Sequence, residues 1–392
     1  MKVAVAGLGY RMANVLKSFL KANPDLAIVG LIDPAPAGLP EVEQAGLAIG
    51  QRFETVDEMM KAVAPDLLMV GSPNAFHLDH IRSGLRHGVK VFTEKPVVID
   101  EQQTFEMVSL LGEYGADRVL VGLVLRYSDL YRDLRQAQSD GRIGNVVSIE
   151  ASEHIAPYHG AFFMRDWRRY RRYAGPYILE KCCHDIDLYA SVVGARPSAV
   201  SSFGGRKSFV PDNAPAVMSN AEREQYYRKP SGWNATENVF DSDADIVDYQ
   251  TALIEYENGA TMAFHANLNV PSQFRRFCVI GSKGMAEGDF VRNNFAVHDS
   301  ASGELLIEKR YSGVEEDHYG ADDQMAADIT RNLREGEPLP VGIIDALEAG
   351  LTAIKIDEAR KERQLIELGE TWARFDATLR QPSESRCSPD HE

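Results

Sequence analysis

The first 120 residues alternate short apolar runs with amphipathic stretches in a regular order. Runs of strand length predict buried strands at Val3–Val5, Ala27–Ile32, Leu67–Val70, Val89–Thr93 and Val119–Val124. Between them, apolar residues recur at helical spacing in Arg11–Ala22, Val56–Val63, Leu78–His87 and Gln102–Leu111. Strands that alternate with helices indicate a parallel sheet covered by helices on both faces, which is a doubly wound α/β domain.

The pattern changes after Tyr127, where a helix predicted at 128–139 ends before Gly141. Apolar and polar residues then alternate with a period of two at 146–150, 249–256, 260–269, 275–281 and 285–289. Asn258-Gly259 lies between two of these runs and is a strong hairpin signal. Two closing helices are predicted at 322–334 and 343–361. The second half is therefore expected to be an α+β domain with an open, mainly antiparallel sheet.

These patterns divide the chain into domains. We place an α/β domain at 1–126 and an α+β domain for substrate binding and oligomerisation at 127–380. Residues 381–392 are polar, contain two prolines and are expected to be disordered. Residues 211–240 are rich in Pro, Asn, Ser and Tyr, which predicts a long surface loop of the kind that often binds ligands or forms a lid.

Composition excludes several classes of protein. The 392 residues are 44% hydrophobic and 26% charged, a globular mixture long enough for two domains. A net charge of −16 argues against nucleic acid and anionic membranes as partners. The N-terminus lacks a signal-peptide core, and no apolar run is long enough to span a membrane, so we expect a cytoplasmic protein. Four cysteines show neither a disulfide framework nor zinc-like spacing, and no metal site is expected.

Gly7-Leu8-Gly9 follows the first strand and precedes a helix, the context in which a glycine turn binds a dinucleotide. The third glycine of this fingerprint is replaced by Met12, and a glycine turn also occurs in α/β proteins that bind no nucleotide. Asp33 ends the second strand, where a carboxylate accepts hydrogen bonds from ribose hydroxyls. That carboxylate would repel a 2′-phosphate, and no arginine occurs in the next four residues. We therefore expect NAD rather than NADP.

A second group of polar residues follows the third and fourth predicted strands. Ser72, Asn74 and His77 follow one strand, and Glu94 and Lys95 end the next. In doubly wound sheets, the crevice at the carboxyl ends of the strands is where ligands bind. The alternative is a solvated Glu-Lys charge pair in a loop. The residues assigned to cofactor binding are Gly7, Gly9, Tyr10, Arg11, Asp33, Ser72, Asn74, His77, Glu94 and Lys95.

Several segments together resemble the Gfo/Idh/MocA oxidoreductases, from Lys2 to about Leu368. The segments are Gly7-Leu8-Gly9, Ser72-Pro73-Asn74 with His77, Glu94-Lys95-Pro96, Gly175 with Leu179-Glu180 to His184-Asp-Ile-Asp187, Gly281 to Gly284, and His318 to Asp322. The resemblance implies an N-terminal Rossmann domain and a C-terminal α+β domain whose open sheet often forms the subunit interface, hence a homodimer or tetramer. It also implies oxidation or reduction of a secondary alcohol of a sugar, inositol or related polyol.

The resemblance further implies catalytic roles. Lys95 would hold and polarise the reacting hydroxyl, His184 would be the general base, and Glu180 stands where many members carry Asp. Helical periodicity over 177–193 places Glu180 and His184 on one face, where a carboxylate can orient an imidazole. The alternatives are a structural histidine paired with Asp187 or Glu180, and a metal site with Cys182 and Cys183, which we set aside.

Five arginines occupy eight positions from 165 to 172, just before this helix. Such a run is typical of a solvated helix face or of salt bridges between domains; the alternative is a site for an anionic substrate, on which a tryptophan could stack. The residues assigned to the substrate pocket are Arg126, Tyr158, Trp167, Arg168, Arg169 and His318.

Three functions fit these residues. The first is an NAD-dependent dehydrogenase of a carbohydrate or polyol. The second is a redox-neutral, NAD-dependent hydrolase of an anionic or sulfo-sugar glycoside. It would oxidise a sugar hydroxyl, eliminate the glycosidic group and return the hydride from the cofactor to the sugar. The third is a dinucleotide sensor without catalysis, against which Lys95 and His184 together argue.

Overall fold

A computed structural model describes residues 1–219, 221–222, 227, 233–236, 238–312 and 317–380. Its first six strands are Lys2–Ala6, Ala27–Ile32, Ile49–Arg52, Leu67–Val70, Lys90–Thr93 and Val119–Val121, here β1 to β6. They form one parallel sheet in the order β3-β2-β1-β4-β5-β6. The predicted doubly wound parallel sheet is confirmed, with β3 as a strand that the sequence pattern did not indicate.

Helices α1 to α5 of this domain are Tyr10–Ala22, Leu39–Gln44, Val56–Val63, His77–Arg86 and Glu101–Tyr114. Local sequence explains where they begin. The Thr55 hydroxyl accepts the Glu58 amide at the start of α3, and the Asp100 carboxylate accepts the Gln103 amide at the start of α5. Strand β4 is buried on both faces, as a parallel strand between two helical layers must be.

In the described part of the chain, the second sheet has nine strands. They are Val146–His154, Pro197–Gly205, Tyr249–Tyr256, Thr261–Asn267, Phe274–Gly281, Gly284–Asp289, Asn294–Asp299, Leu305–Arg310 and Ile366–Glu367, β7 to β15. Their order is β14-β13-β12-β11-β7-β10-β9-β8-β15, and every neighbouring pair is antiparallel except β7 with β10. The expected open, mainly antiparallel sheet is confirmed. So is the Asn258-Gly259 hairpin, where Gly259 has a φ of +83°.

Helices α6 to α12 are Asp129–Ser139, Pro157–Arg165, Arg171–Ala174, Tyr177–Val193, Ala321–Glu335, Ile343–Glu362 and Gly369–Arg380. Helix α9 packs against α11 and β7, so one face of the sheet is covered. The other face carries exposed apolar side chains, among them Phe203, Leu253 and Ile280. A role of this face in oligomerisation stays a prediction.

One helix of the second domain packs directly on the first domain. Helix α10 packs on α1, where the Ser18 hydroxyl donates to Asp323 at 2.6 Å. The domain junction expected at residue 126 lies in a 3-10 turn, Val124–Tyr127. The expected disorder of 381–392 concerns residues outside those described. None of the helices in the described ranges is both long and apolar enough to cross a membrane.

Candidate active site

In the glycine turn after β1, Gly7 is packed against the neighbouring loop, whereas Gly9 borders open space. Gly7 has a φ of +88°, and a Cβ there would lie 2.2 Å from the Ser72 backbone nitrogen, so no other residue fits. Gly9 is the N-cap of α1, and a Cβ there would meet no protein atom within 4 Å. The first amides of α1 lack intrahelical acceptors. The turn therefore offers unpaired N–H donors beside an accessible backbone, a cradle that fits a pyrophosphate.

The missing third glycine of the fingerprint has a structural compensation. Met12 is fully buried and packs against the turn after β4. There, a Cβ on Gly71 would lie 2.7 Å from the Met12 methyl carbon. The close approach of helix and sheet that the third glycine normally permits is thus provided by Gly71 on the neighbouring strand.

Asp33 lies at the end of β2, directly beside this turn. Its carboxylate accepts the Leu8 amide at 2.7 Å and the Ala35 amide at 2.8 Å. These bonds fix the carboxylate, and each oxygen keeps a second lone pair for a further donor. The predicted ribose acceptor is thus held next to the predicted pyrophosphate cradle.

His77 joins the loops after β4 and β5. Its Nδ1 lies 2.9 Å from the Pro96 carbonyl and its Nε2 lies 2.8 Å from the Ser72 carbonyl. The ring is buried, and burial lowers its pKa to about 4 despite both acceptors. A neutral imidazole has one N–H, so His77 donates to one of these carbonyls and holds its other nitrogen close to the second. Because both nitrogens face backbone carbonyls, the direct cofactor contact that we assigned to His77 is at odds with this geometry.

Arg11 connects the two domains instead of pointing freely into the cofactor cleft. Its guanidinium binds Glu94 at 3.0 Å and forms a bidentate pair with Asp322 at 2.8 Å. His318 also contacts both partners of this pair, through Nδ1 at 3.2 Å from Arg11 and 3.0 Å from Asp322. Burial raises the pKa of Glu94; it would also raise that of Asp322, but the Arg11 charge prevails and lowers it. Sequence reasoning missed Asp322 as a site residue.

His318 lies in this network with strained backbone geometry. Its φ is +55° and that of Tyr319 is +59°, both in the left-handed region. Burial, followed by the Arg11 charge, lowers the His318 pKa to about 4. Its ring centroid is 5.9 Å from that of His184, so the structure places this predicted pocket residue next to the predicted base.

Lys95 and Glu180 meet at the start of α9. The Lys95 ammonium donates to the Glu180 carbonyl at 2.6 Å. The Glu180 carboxylate accepts from the Asn74 amide and, at 3.1 Å, from Arg168 Nε. It therefore bonds to neither nitrogen of His184, and the prediction that it orients the imidazole directly is wrong. Asn74, predicted to contact the cofactor, also donates to the Ala174 carbonyl at 3.1 Å.

His184 is buried with 4% of its surface exposed, yet neither ring nitrogen has a hydrogen-bond partner among the described residues. Its pKa is lowered well below the usual value by burial, then by the charges of Lys95 and Arg275. Asp187 does not pair with it, because that carboxylate is bound by Arg126 at 2.7 Å. His184 is thus a neutral imidazole with unengaged ring nitrogens beside an ammonium group.

Most of the arginines assigned to the pocket have structural partners. Arg126 is buried against Asp187, and Arg169 binds Asp243 at 2.7 Å. Arg168 reaches Glu180 and covers the Trp167 ring at 4.2 Å, so that face of the indole is not available for stacking on a substrate. Tyr158 is about one third exposed. Arg168, Arg169 and Arg171 form salt bridges, but these lie within the second domain and not between the domains as we expected.

The two cysteines of α9 lie in the core. Cys182 and Cys183 are buried, and burial raises the pKa of Cys183 to about 12. Within the described ranges, no group of three or more His, Cys, Asp or Glu side chains is arranged to bind a metal.

Comparisons with known proteins agree with this architecture. Bacillus subtilis YteT, named as an oxidoreductase, is 25% identical over 273 residues, which are 60% of this chain but only 63% of that protein. The scyllo-inositol 2-dehydrogenase (NAD(+)) of Bacillus subtilis is 23% identical over 90% of this chain and 93% of its own. A crystal structure of scyllo-inositol dehydrogenase from Lactobacillus casei with NAD(H) and scyllo-inositol aligns with a TM-score of 0.68 at 20% identity, covering 94% of this chain and 99% of that one.

Two family descriptions together cover most of the chain. Residues 1–123 match the oxidoreductase family with an NAD-binding Rossmann fold, and residues 135–368 match its C-terminal alpha/beta domain. The chain belongs to the Gfo/Idh/MocA family of oxidoreductases.

Proposed function

We propose that the protein is an NAD-dependent dehydrogenase that acts on a secondary hydroxyl of a sugar, sugar derivative or inositol-like polyol. The observation that carries this proposal is His184, a buried imidazole with unbonded ring nitrogens whose pKa the Lys95 charge helps to lower, on the helix whose Glu180 carbonyl binds Lys95. The names of the scyllo-inositol dehydrogenases that resemble this chain support the substrate class.

The residues of the Rossmann domain fit a dinucleotide. Gly9 and the first amides of α1 would bind the pyrophosphate, and Asp33 would accept the ribose hydroxyls. Residues 34–37 contain no arginine to neutralise a 2′-phosphate beside Asp33, which favours NAD over NADP. When bound, NAD supplies the electron-pair acceptor for alcohol oxidation.

Lys95 would hold the reacting hydroxyl. One of its three N–H donors is used by the Glu180 carbonyl, which leaves two for the oxygen of an alcohol. Burial and the Lys95 charge lower the pKa of His184 and so keep the imidazole unprotonated, which is the state that a general base needs. The hydroxyl proton would pass to a ring nitrogen of His184, a general-base step typically worth a factor of about 10² to 10⁴.

Glu180 would act as a positioning residue. Its carboxylate lies between Asn74, in the loop after β4, and Arg168, in the arginine segment of the second domain. Its carbonyl also receives Lys95. Glu180 therefore fixes the ammonium, the amide and the guanidinium relative to one another across the domain boundary.

The decisive experiment combines binding and turnover. Calorimetry should show NAD binding, and absorbance should show NADH formation with one or more of a panel of inositols, hexoses and uronic acids. His184→Asn should keep the binding and lose the turnover. Failure to bind any nicotinamide nucleotide would remove the basis of the proposal. Release of nitrophenol from a nitrophenyl glycoside, dependent on NAD but without net NADH, would favour the redox-neutral alternative.

A further inference from the structure

Three aromatic rings and a guanidinium form an exposed surface at the edge of the proposed site. They are Phe76, Arg172, Tyr173 and Trp233, here called the aromatic platform. Phe76 is 40% exposed and Trp233 is 48% exposed. The Tyr173 ring lies between them, 6.4 Å from Phe76 and 4.9 Å from Trp233, centroid to centroid. Neighbouring aromatic rings that are exposed to solvent are typical of ligand-binding surfaces.

The platform is joined directly to the proposed active site. Phe76 lies two residues after Asn74, whose side-chain amide binds the Glu180 carboxylate. The same amide donates to the Ala174 carbonyl at the end of α8, the helix that carries Arg172 and Tyr173. The platform is therefore built on the same two segments that hold the Glu180 carboxylate.

Arg172 differs from its neighbours in its lack of an acidic partner. Arg168, Arg169 and Arg171 each bind a carboxylate. The Arg172 guanidinium is exposed and lies over the rings of Tyr170 and Tyr173, at 4.7 and 4.9 Å from their centroids. No residue in the described part of the chain gives it a carboxylate. In a protein with a net charge of −16, this cation is oriented by aromatic rings and faces solvent.

We propose that the aromatic platform is an outer subsite for a second pyranose ring that carries a carboxylate, so that the substrate is an acidic glycoside. This deepens the proposed function and rests on it for the position of the reacting sugar. The negative face of an aromatic ring attracts the C–H groups on the face of a pyranose, while the sugar hydroxyls stay in water. The planar guanidinium matches a carboxylate with two parallel hydrogen bonds.

The size and charge of the platform favour a sugar over a protein partner. A specific protein interface buries on the order of 800 Å² on each partner, contributed by about 20 to 30 residues. The platform is made of four side chains. Four side chains match the face of a single sugar ring. The Arg172 guanidinium would bind an acidic substituent on that ring.

The tryptophans give a direct test, because only one of the three is accessible to solvent. Trp167 is 7% exposed and Trp372 is 3% exposed, against 48% for Trp233. Acrylamide quenching of intrinsic fluorescence therefore reports on Trp233. The probes are pyranose disaccharides with a uronic acid as the second ring, each compared with its neutral counterpart, added to the full chain with NAD present. We expect an acidic disaccharide to protect Trp233 and to shift its emission to shorter wavelength.

Variants distinguish the subsite from general sugar binding. Arg172→Gln should weaken binding of the acidic disaccharide by about 10-fold or more, as expected for the loss of one charge-assisted pair. The affinity for the neutral counterpart should stay within a factor of about two. Trp233→Leu, measured by calorimetry, should weaken both. Phe203→Ala, an exposed ring on the open sheet face, is the matched control and should change neither.

The outcomes separate this proposal from the proposed function. Protection of Trp233 that depends on Arg172 supports the subsite even if no NADH forms. If NADH forms from a free monosaccharide but no disaccharide protects Trp233, the dehydrogenase stands and the subsite is overturned. Equal weakening of acidic and neutral disaccharides by Arg172→Gln would overturn the assignment of the carboxylate.

Discussion

Two buried histidines, one in each domain, differ in how their rings are bonded. His77 at the start of α4 has a backbone carbonyl at each ring nitrogen, and His184 in the middle of α9 has no hydrogen-bond partner among the described residues. Burial lowers the pKa of both. A buried polar group without a partner costs about 1–3 kcal/mol, so a fold has no reason to keep one for stability alone. We infer that His77 serves the structure and His184 serves the chemistry.

The surroundings of the two rings strengthen this contrast. His184 lies near two cations, Lys95 and Arg275, that add to the effect of burial on its pKa. His77 is influenced chiefly by burial and by its two carbonyls. A pKa that is shifted by burial together with a specific charged neighbour is typical of a functional site. A buried side chain whose polar atoms face backbone partners is typical of a protein core.

The largest effect should come from His184→Asn. Loss of the base should lower kcat by about 10² to 10⁴. The free energy of unfolding should change little, because one buried polar side chain without a described partner replaces another. Steady-state kinetics and denaturant unfolding on the same variant test this, with NAD affinity as a control. A large loss of stability with a modest loss of kcat would place His184 in the same class as His77.

Lys95→Met should lower kcat/KM by a factor of about 10² or more, through loss of the donor to the hydroxyl. It should also change the pH profile. The Lys95 charge lowers the His184 pKa, so removing it should raise that pKa and move the acid-side loss of activity to higher pH. Because His184 must be neutral to act, this limb reports on its protonation. An acid limb that does not move would show that Lys95 does not act on His184.

His77→Gln should have the opposite balance to His184→Asn. A glutamine lacks the ring and cannot place its N–H where the buried imidazole places it, so we expect a loss of about 1–3 kcal/mol in unfolding free energy and a kcat within a few-fold of the original. Denaturant unfolding and kinetics measure the two quantities. A kcat loss as large as that of His184→Asn, with stability unchanged, would reverse the comparison.

The pH dependence of stability sharpens the prediction for His77. Its pKa is about 4 when folded and about 6.5 when unfolded, so the unfolded chain binds the extra proton between these values. Its contribution is therefore present above pH 6.5 and is lost as the pH falls toward 4, by up to about 1.4 kcal/mol per pH unit. His77→Gln should lack this part of the slope, whereas His298→Gln, at a partly exposed strand position, serves as the control.

The sequence predicted the parts of the site that are local. Gly9 and Asp33 belong to one βαβ unit, so motif and spacing placed both correctly beside each other. The Arg11–Asp322 pair joins residues 311 positions apart, and no local pattern indicates it. For the same reason the sequence could show that arginines cluster before α9, but not that Arg168, Arg169 and Arg171 bind carboxylates while Arg172 lies over aromatic rings.

The sequence also could not show where the Glu180 carboxylate points. Helical spacing brought Glu180 and His184 to one face, which suggested direct contact. In the structure, Asn74 and Arg168 compete successfully for that carboxylate, since both approach from other parts of the chain. Spacing decides which side chains share a helix face, but tertiary neighbours decide which of them bond.

Glu180→Asp should have the smallest effect on activity. It tests whether Glu180 serves the structure, like His77, or the chemistry, like His184. Shortening the side chain by one methylene should lose one of its two contacts, to Asn74 or to Arg168, while its carbonyl still receives Lys95. For a positioning residue we expect KM to rise by about 3- to 10-fold, kcat to stay within about threefold, and the acid limb of the pH profile to stay in place. Glu180→Gln should raise KM further, because Arg168 then lacks one of its two carboxylate partners. A fall in kcat comparable to that of His184→Asn, or a shift of the acid limb, would instead mean that Glu180 takes part in the proton transfer. Glu180 would then have a role in the chemistry, like His184, and not a structural role like that of His77.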